Sequence, residues 1–315
     1  MYPKPTPSIP IPTGSLRLDY ALGSGGFPRG CYIEMRGPVS SGKTTLCLHT
    51  ISEAQKQGGL CAIIDSDFSI YPNYAKQCGV NLNRLFICQP NTAEQAFSIL
   101  ESLVQSGAFN LIVLDSITTL VPEAELQLPL WMNSKITREH LLSNSLNKLA
   151  NFISRSGTSV IFTKKNLKQL SSIYHGLAKN PSRLALGLQA KVRLDLFPGE
   201  ILTQRKNFLG TTIQVKIVKN TVSPQFYSAE FDIIMYNKGL DKSGEILIFG
   251  IQLGIINKTT TGLYYQGINL GVNHRKAVRF LNEHVDLASE MEKQIRQVLF
   301  SPALTNTMLS LTDFK

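Results

Sequence analysis

The sequence predicts an α/β fold in which a mostly parallel central sheet is flanked by helices, followed by a small α+β C-terminal domain. Three observations carry this expectation. Short apolar runs alternate with helical patterns; a glycine-rich loop falls between the first such run and the first long helical stretch; and from about Asp241 the texture changes to short turns and one amphipathic helix. Strands that alternate with helices need crossover connections, and those crossovers cover both faces of a parallel sheet.

Taken in order, a proline-rich arm (residues 1–12) leads into the glycine-rich turn "ALGSGGFPRG" and the strand "CYIEMR". After "GPVSSGKTT" comes a helix through "LCLHTISEAQKQ", stopped by Gly58-Gly59. Further strands are expected at "LCAIID", "LFICQ", "NLIVLD" and "TSVIFT", with helices at "TAEQAFSILESLVQS" and "REHLLSNSLNKLANFIS". "LQAKVRLDLF", "TTIQVKIVKN" and "SAEFDIIMY" follow as consecutive strands that extend the sheet, which sets the main domain at residues 13–240. The C-terminal domain, residues 241–315, closes on the amphipathic "DLASEMEKQIRQVLF".

Composition excludes some classes. The chain has 315 residues, 43% hydrophobic and 17% charged, enough to bury a large core. No stretch approaches the roughly 20 apolar residues of a membrane span, and the N-terminus lacks the apolar heart of a signal peptide, so a cytoplasmic protein with no membrane partner is expected. Cys31, Cys47, Cys61, Cys78 and Cys88 lie in or beside apolar segments without a CxxC pair and read as buried reduced thiols. Between Lys135 and Lys219 there are 15 Lys and Arg against three acids, Glu139, Asp195 and Glu200, while the remainder, 17 against 19, is close to neutral. An excess confined to one segment points to a polyanion, with nucleic acid as the expected partner.

"GPVSSGKTT" fits G-x-x-x-x-G-K-[ST] in the strand-to-helix context that the pattern requires. Backbone N–H groups around Gly37, Pro38, Ser40, Ser41 and Gly42 would cradle phosphates at a helix N-terminus, Lys43 would reach the outer phosphates, and the Thr44 hydroxyl would hold Mg²⁺ with Thr45 beside it. Asp115, ending "NLIVLD", supplies the acid for the metal's outer sphere. ATP and Mg²⁺ are therefore the expected cofactors. "CAIIDSDFS" poses a separate question, because Asp65 and Asp67 share a strand face and either carboxylate could serve the site or merely close the strand.

Together, "IPTGSLRLDYALGSGGFPRG", "GPVSSGKTTL", "CQPNTAEQA", "LIVLDS", "KVRLDL" and "VKIVKN" resemble the bacterial RecA recombinase family over nearly the whole chain, from about Ile11 to the last helix. The resemblance implies a RecA-like P-loop NTPase core, ATP-bound filaments on single-stranded DNA, homologous pairing, and ATP hydrolysis stimulated by DNA. It places Tyr74 against adenine and Asp67 where the family has a glutamate that orients the attacking water, which leaves Asp65 to close the strand. Aspartate is a methylene shorter, and a displacement of about 1 Å costs roughly a hundredfold in rate, so slow hydrolysis is expected. Lys165 stands where the family has a γ-phosphate-sensing glutamine; of two lysines that reach the neighbouring subunit's ATP, Lys219 remains and Thr221 replaces the second.

The resemblance also assigns DNA contacts. The first loop, "QLPLWMNSKITREH", contributes Lys135 and Arg138; the second, "KKNLKQLSSIYHGLAKNPSRLALG", contributes Lys164, Lys168, Tyr174, Lys179 and Arg183. Cations interleaved with an aromatic suit a single strand, through backbone charge and base stacking. An arginine pair of the family's second DNA site is Phe197-Pro198 here, Gln214 replaces one later cation, and Lys216 keeps the other, so duplex capture is weakened. The family's N-terminal packing element is replaced by the short arm, and its acidic tail by "SLTDFK".

The resulting expectation is an ATP-dependent, single-stranded-DNA-binding, recombinase-like protein of homologous recombination and repair, a DNA-dependent ATPase with weakened turnover in which Asp67, Lys43 and Lys165 are the candidate catalytic residues. It would self-associate or join a complete recombinase. The alternative is a non-enzymatic, ATP-gated accessory or regulatory subunit of such a filament. A small-molecule P-loop kinase fits less well, because the loops are basic and no lid with clustered arginines is present.

Overall fold

In the computed structural model the described residues are 9–126, 135–165, 189–204, 207–222, 230–236 and 239–301. The chain enters by pairing Ile11 with Phe27 and then forms α1 (Leu16–Leu22), capped by the Ser15 hydroxyl, which accepts from Leu18 N. A strand-helix alternation follows: β1 (Tyr32–Gly37), α2 (Lys43–Lys56), β2 (Leu60–Asp65), α3 (Pro72–Gln77), β3 (Leu85–Cys88), α4 (Ala93–Gln105), β4 (Phe109–Asp115), the short α5 (Glu123–Leu126), α6 (Lys135–Ser156) and β5 (Ser159–Lys165). These five strands are mutually parallel. β6 (Val192–Gln204) joins β1 in parallel, and β7 (Asn207–Asn220), β8 (Glu230–Tyr236) and β9 (Gly239–Leu240) continue the sheet antiparallel, giving the order β3-β2-β4-β5-β1-β6-β7-β8-β9.

Near-continuous apolar runs are what a parallel sheet buried on both faces demands, and the strands sort their side chains accordingly. Ile33, Met35, Ile63, Val113 and Ile161 join one core cluster with α2, while Tyr32, Ile64, Ile112, Leu114 and Phe162 join the other with α4 and α6. Pro198 lies within a long strand, where it removes a ladder donor. It is tolerated because β1 pairs with β6 only as far as Asp195, and the register with β7 shifts between Pro198 and Ile201.

The rest of the described chain forms a third core. α7 (Lys242–Gln252) leads to the antiparallel β10 (Asn257–Lys258), β11 (Leu263–Tyr265) and β12 (Ile268–Gly271), then α8 (His274–Glu283) and α9 (Val285–Leu299). Leu247, Phe249, Tyr265, Met291 and Ile295 are buried together there, and Leu16 of α1 joins them. Two carboxylates, the buried Asp19 and the half-buried Glu245, fasten α1 to these helices. Glu245 of α7 accepts from the Ser15 hydroxyl (2.8 Å) and from Arg17 N (3.3 Å); Asp19 accepts from Thr13 N and Oγ1 and from Arg296 Nη2 of α9 (2.7 Å). Burial outweighs these donors: it raises the Asp19 pKa to about 6 and that of Glu245 to about 7.

Because the folded carboxyl of Asp19 holds its proton to about pH 6, against 3.8 for an exposed aspartate, the native state binds more protons across this window. The stability that this group contributes is therefore full below the lower value and lost as pH rises through the upper one. Arg296 is the cation that opposes burial. Arg296→Met should destabilise the fold by about 3–5 kcal/mol at alkaline pH, where the carboxylate is left charged and unpaired. The deficit should shrink on acidification, as urea denaturation at about pH 8 and pH 5.5 would measure.

Candidate functional site

The site assembles at the C-terminal ends of β1, β2, β4 and β5, where open α/β sheets present their crevices. β1 ends at Gly37, whose Cα approaches the Leu196 carbonyl and the Ser41 hydroxyl so closely that a Cβ would lie 2.3 and 2.5 Å from them. The loop then turns through Ser40 (φ 62°) and Gly42 (φ 80°) into α2, aiming the first-turn N–H groups outward. Lys43 is buried, with Nζ donating to the carbonyl oxygens of Gly37 (3.0 Å) and Pro38 (2.6 Å) and to Ser41 Oγ (3.2 Å). The ammonium is thus held over the loop, and burial lowers its pKa, opposed chiefly by the Asp115 charge.

Asp115 is buried at the end of β4 and accepts from Thr44 Oγ1 (2.6 Å) and from the Thr163 hydroxyl of β5. Burial raises its pKa and the two hydroxyls oppose the rise. Thr44 and Asp115 offer the hard oxygen donors that Mg²⁺ takes, with room in its sphere for water and phosphate. These residues fit the ion: Thr44 would ligate it and Asp115 would orient its shell. Tyr74 of α3 sits beside α2, its hydroxyl 3.0 Å from Thr45 Oγ1.

The pair in "DSDFS" is divided by geometry. Asp65 is fully buried and accepts from Ser69 N (3.1 Å), Ile70 N (3.2 Å) and Gln89 Nε2 (3.4 Å), so it closes the turn after β2. Asp67 stands beyond the turn, which is pinned to β4 because Ser66 N and Asp67 N both donate to the Asp115 carbonyl. Its carboxylate meets Lys165, at the end of β5, with Nζ 2.8 Å from Oδ2.

Lys43, Thr44, Asp67, Asp115 and Lys165 therefore share one crevice. Lys219 lies apart on β7, opposite Arg193 of β6, which is paired with Glu34 (2.6 Å). Burial lowers the Lys219 pKa, and the cations Arg193 and Lys191 add to the effect. Thr221 bonds back to the Lys191 carbonyl. Lys135 and Arg138 occupy the first turn of α6, and Lys164 lies near the end of β5. Lys168, Tyr174, Lys179 and Arg183 lie outside the described residues. Thr163 was missed by sequence reasoning; its signal was its place two residues before Lys165, on the same strand face.

Residues 6–241 match the family model of the RecA N-terminal domain, and residues 244–299 that of the RecA C-terminal domain. The chain belongs to the RecA family. Curated relatives include Protein RecA of Caldanaerobacter subterraneus subsp. tengcongensis, 43% identical over 91% of this chain and 84% of the relative. Protein RecA of Methylobacterium sp. (strain 4-46) is 41% identical over 96% and 84%, and that of Rickettsia prowazekii 40% over 96% and 88%. The family comprises ATP-binding, DNA-dependent ATPases that form filaments on single-stranded DNA and act in recombination and repair. No described helix is long and apolar enough to cross a membrane.

With the Lys43 ammonium held against the loop carbonyls, Lys43→Ala should abolish ATP binding by removing the charge that meets the outer phosphates. Equilibrium titration with a fluorescent ATP analogue measures this, and an affinity equal to the parent's would overturn the assignment of the loop.

Proposed function

We propose that this chain is a RecA-type recombinase subunit that binds ATP and single-stranded DNA and hydrolyses ATP slowly, because its water-orienting carboxylate is held by a lysine. The observation that carries this reading is the Lys165–Asp67 ion pair of 2.8 Å. In the proposed reaction the loop amides and Lys43 bind and orient the phosphates, and Thr44 with Asp115 would hold Mg²⁺, which when bound would supply Lewis-acid stabilisation of the phosphoryl group. Asp67 takes the proton of the attacking water. A carboxylate oxygen engaged by an ammonium is less basic and less free to turn toward water, and general-base assistance accounts for roughly 10²–10⁴ in rate. The short aspartate and its lysine thus act in the same direction.

Lys165 ends the strand that leads into the basic segment 166–188. A γ-phosphate would compete with Asp67 for its ammonium, so nucleotide binding would pull on the residue that leads into that segment. Single-stranded DNA would meet that segment and the first turn of α6.

Asp67→Asn should eliminate turnover while ATP binding persists. Asp67→Glu combined with Lys165→Gln should restore both reach and freedom, raising phosphate release above the parent's and raising it again on addition of single-stranded DNA. Release at the parental rate in both backgrounds, with ATP binding intact, would favour the non-enzymatic, ATP-gated accessory subunit.

A further inference from the structure

Across four neighbouring strands the register places Lys164 of β5 beside Arg36 of β1, Arg36 beside Asp195 of β6, and Asp195 beside Lys216 of β7. Register partners point to the same face, so three cations and one carboxylate form a row with about 4.8 Å between strands. Two residues deeper on this face the row reads Phe162, Glu34 and Arg193, with Phe162 and Glu34 buried. The outer row, by contrast, is half-buried to exposed: this is where the sheet face opens to solvent. Arg36 is fixed there by a two-pronged pair, Nε to Asp195 Oδ1 at 2.6 Å and Nη2 to Oδ2 at 2.7 Å, with the side chains 27% and 15% exposed.

We infer that Arg36 is a phosphate contact for the bound DNA strand, held ready by Asp195, between Lys164 on one side and Lys216, which the family resemblance assigns to a second DNA site, on the other. The inference rests on the single-stranded-DNA-binding reading above. A guanidinium keeps donors to spare when two of its N–H groups are engaged, and its planar fork suits phosphate as it suits carboxylate. Lys164 and Lys165 end β5 next to Arg36, which sets Arg36 beside the described end of the basic stretch. Asp195 sets the orientation of Arg36 and masks its charge until a phosphate competes. Arg36 escapes sequence reasoning because it precedes the phosphate loop and lies outside the basic middle segment.

The two partners give opposite signs if this is right. In the full chain with ATP, binding of a fluorescent oligodeoxythymidylate is followed by anisotropy as salt is raised. Arg36→Gln should weaken binding and reduce the log–log salt slope by about 0.7, the amount for one lost phosphate contact on a single strand. Asp195→Asn should tighten binding about two- to fivefold, as expected from releasing a partly buried ion pair at the edge of solvent. A purely structural pair predicts instead that Asp195→Asn weakens binding or leaves it unchanged, and either result overturns the proposal. Arg36→Lys, which keeps the charge, should retain the slope and serves in place of Arg36→Gln if that variant does not fold. Failure of the parent chain to bind the oligonucleotide would overturn the DNA-binding reading itself. Parental binding that Asp195→Asn does not tighten overturns only the role of Arg36.

Discussion

The Asp115 carboxylate accepts hydrogen bonds from the hydroxyls of Thr44 and Thr163, so that α2, β4 and β5, distant in sequence, converge on one pair of buried oxygens. Its own carbonyl receives the N–H groups of Ser66 and Asp67 and thereby sets the turn after β2. The metal-side threonine, the strand that ends in Lys165 and the turn that carries Asp67 are thus all referred to a single residue. A buried acid is tolerated here because each carboxylate oxygen that burial strips of water meets a hydroxyl donor. The rest of the crevice inherits its dimensions from those bonds.

Around that fixed point the charges are arranged in opposition. Lys43 lies over the carbonyl end of its own loop, Lys165 against Asp67, and Arg36 against Asp195. Each cation is already engaged, Lys43 by carbonyl oxygens and the other two by carboxylates, which limits the cost of holding it in place. Under the proposed function the same arrangement sets a balance between readiness and affinity, since any partner that a ligand displaces opposes binding. Lys165 is the sharpest case, because its partner is also the candidate base.

Much of this was legible in the amino-acid order. The glycine-rich loop, the strand ends carrying Asp65 and Asp115, and the alternation of strand and helix all have local signatures, because a parallel sheet needs continuous apolar runs and a phosphate loop needs glycine where the backbone turns left-handed or approaches another closely. Asp65 and Asp67 could be told apart only through the family resemblance; in the structure the division follows from which carboxylate finds backbone N–H donors. What escaped reading was lateral. Thr163 meets Asp115 and Arg36 meets Asp195 across strands separated by many residues, and register between distant strands leaves no mark on either segment alone. Pro198 is a milder example: it reads as a break, yet it sits inside β6 beyond the reach of β1.

The clasp on α1 bears on how the chain is made. Ser15 waits for Glu245, which lies 230 residues onward, and Asp19 for Arg296, which lies 277 residues onward. On the ribosome, therefore, the first helix emerges long before either anchor exists, and its apolar face, with Leu16 destined for the C-terminal core and Leu18 and Leu22 for the main one, has no finished surface to join. Contacts of such sequence separation form late and slowly. Completion of the first helix thus coincides with release of the last, and a nascent chain halted before Arg296 would leave both its beginning and its end open to chaperones.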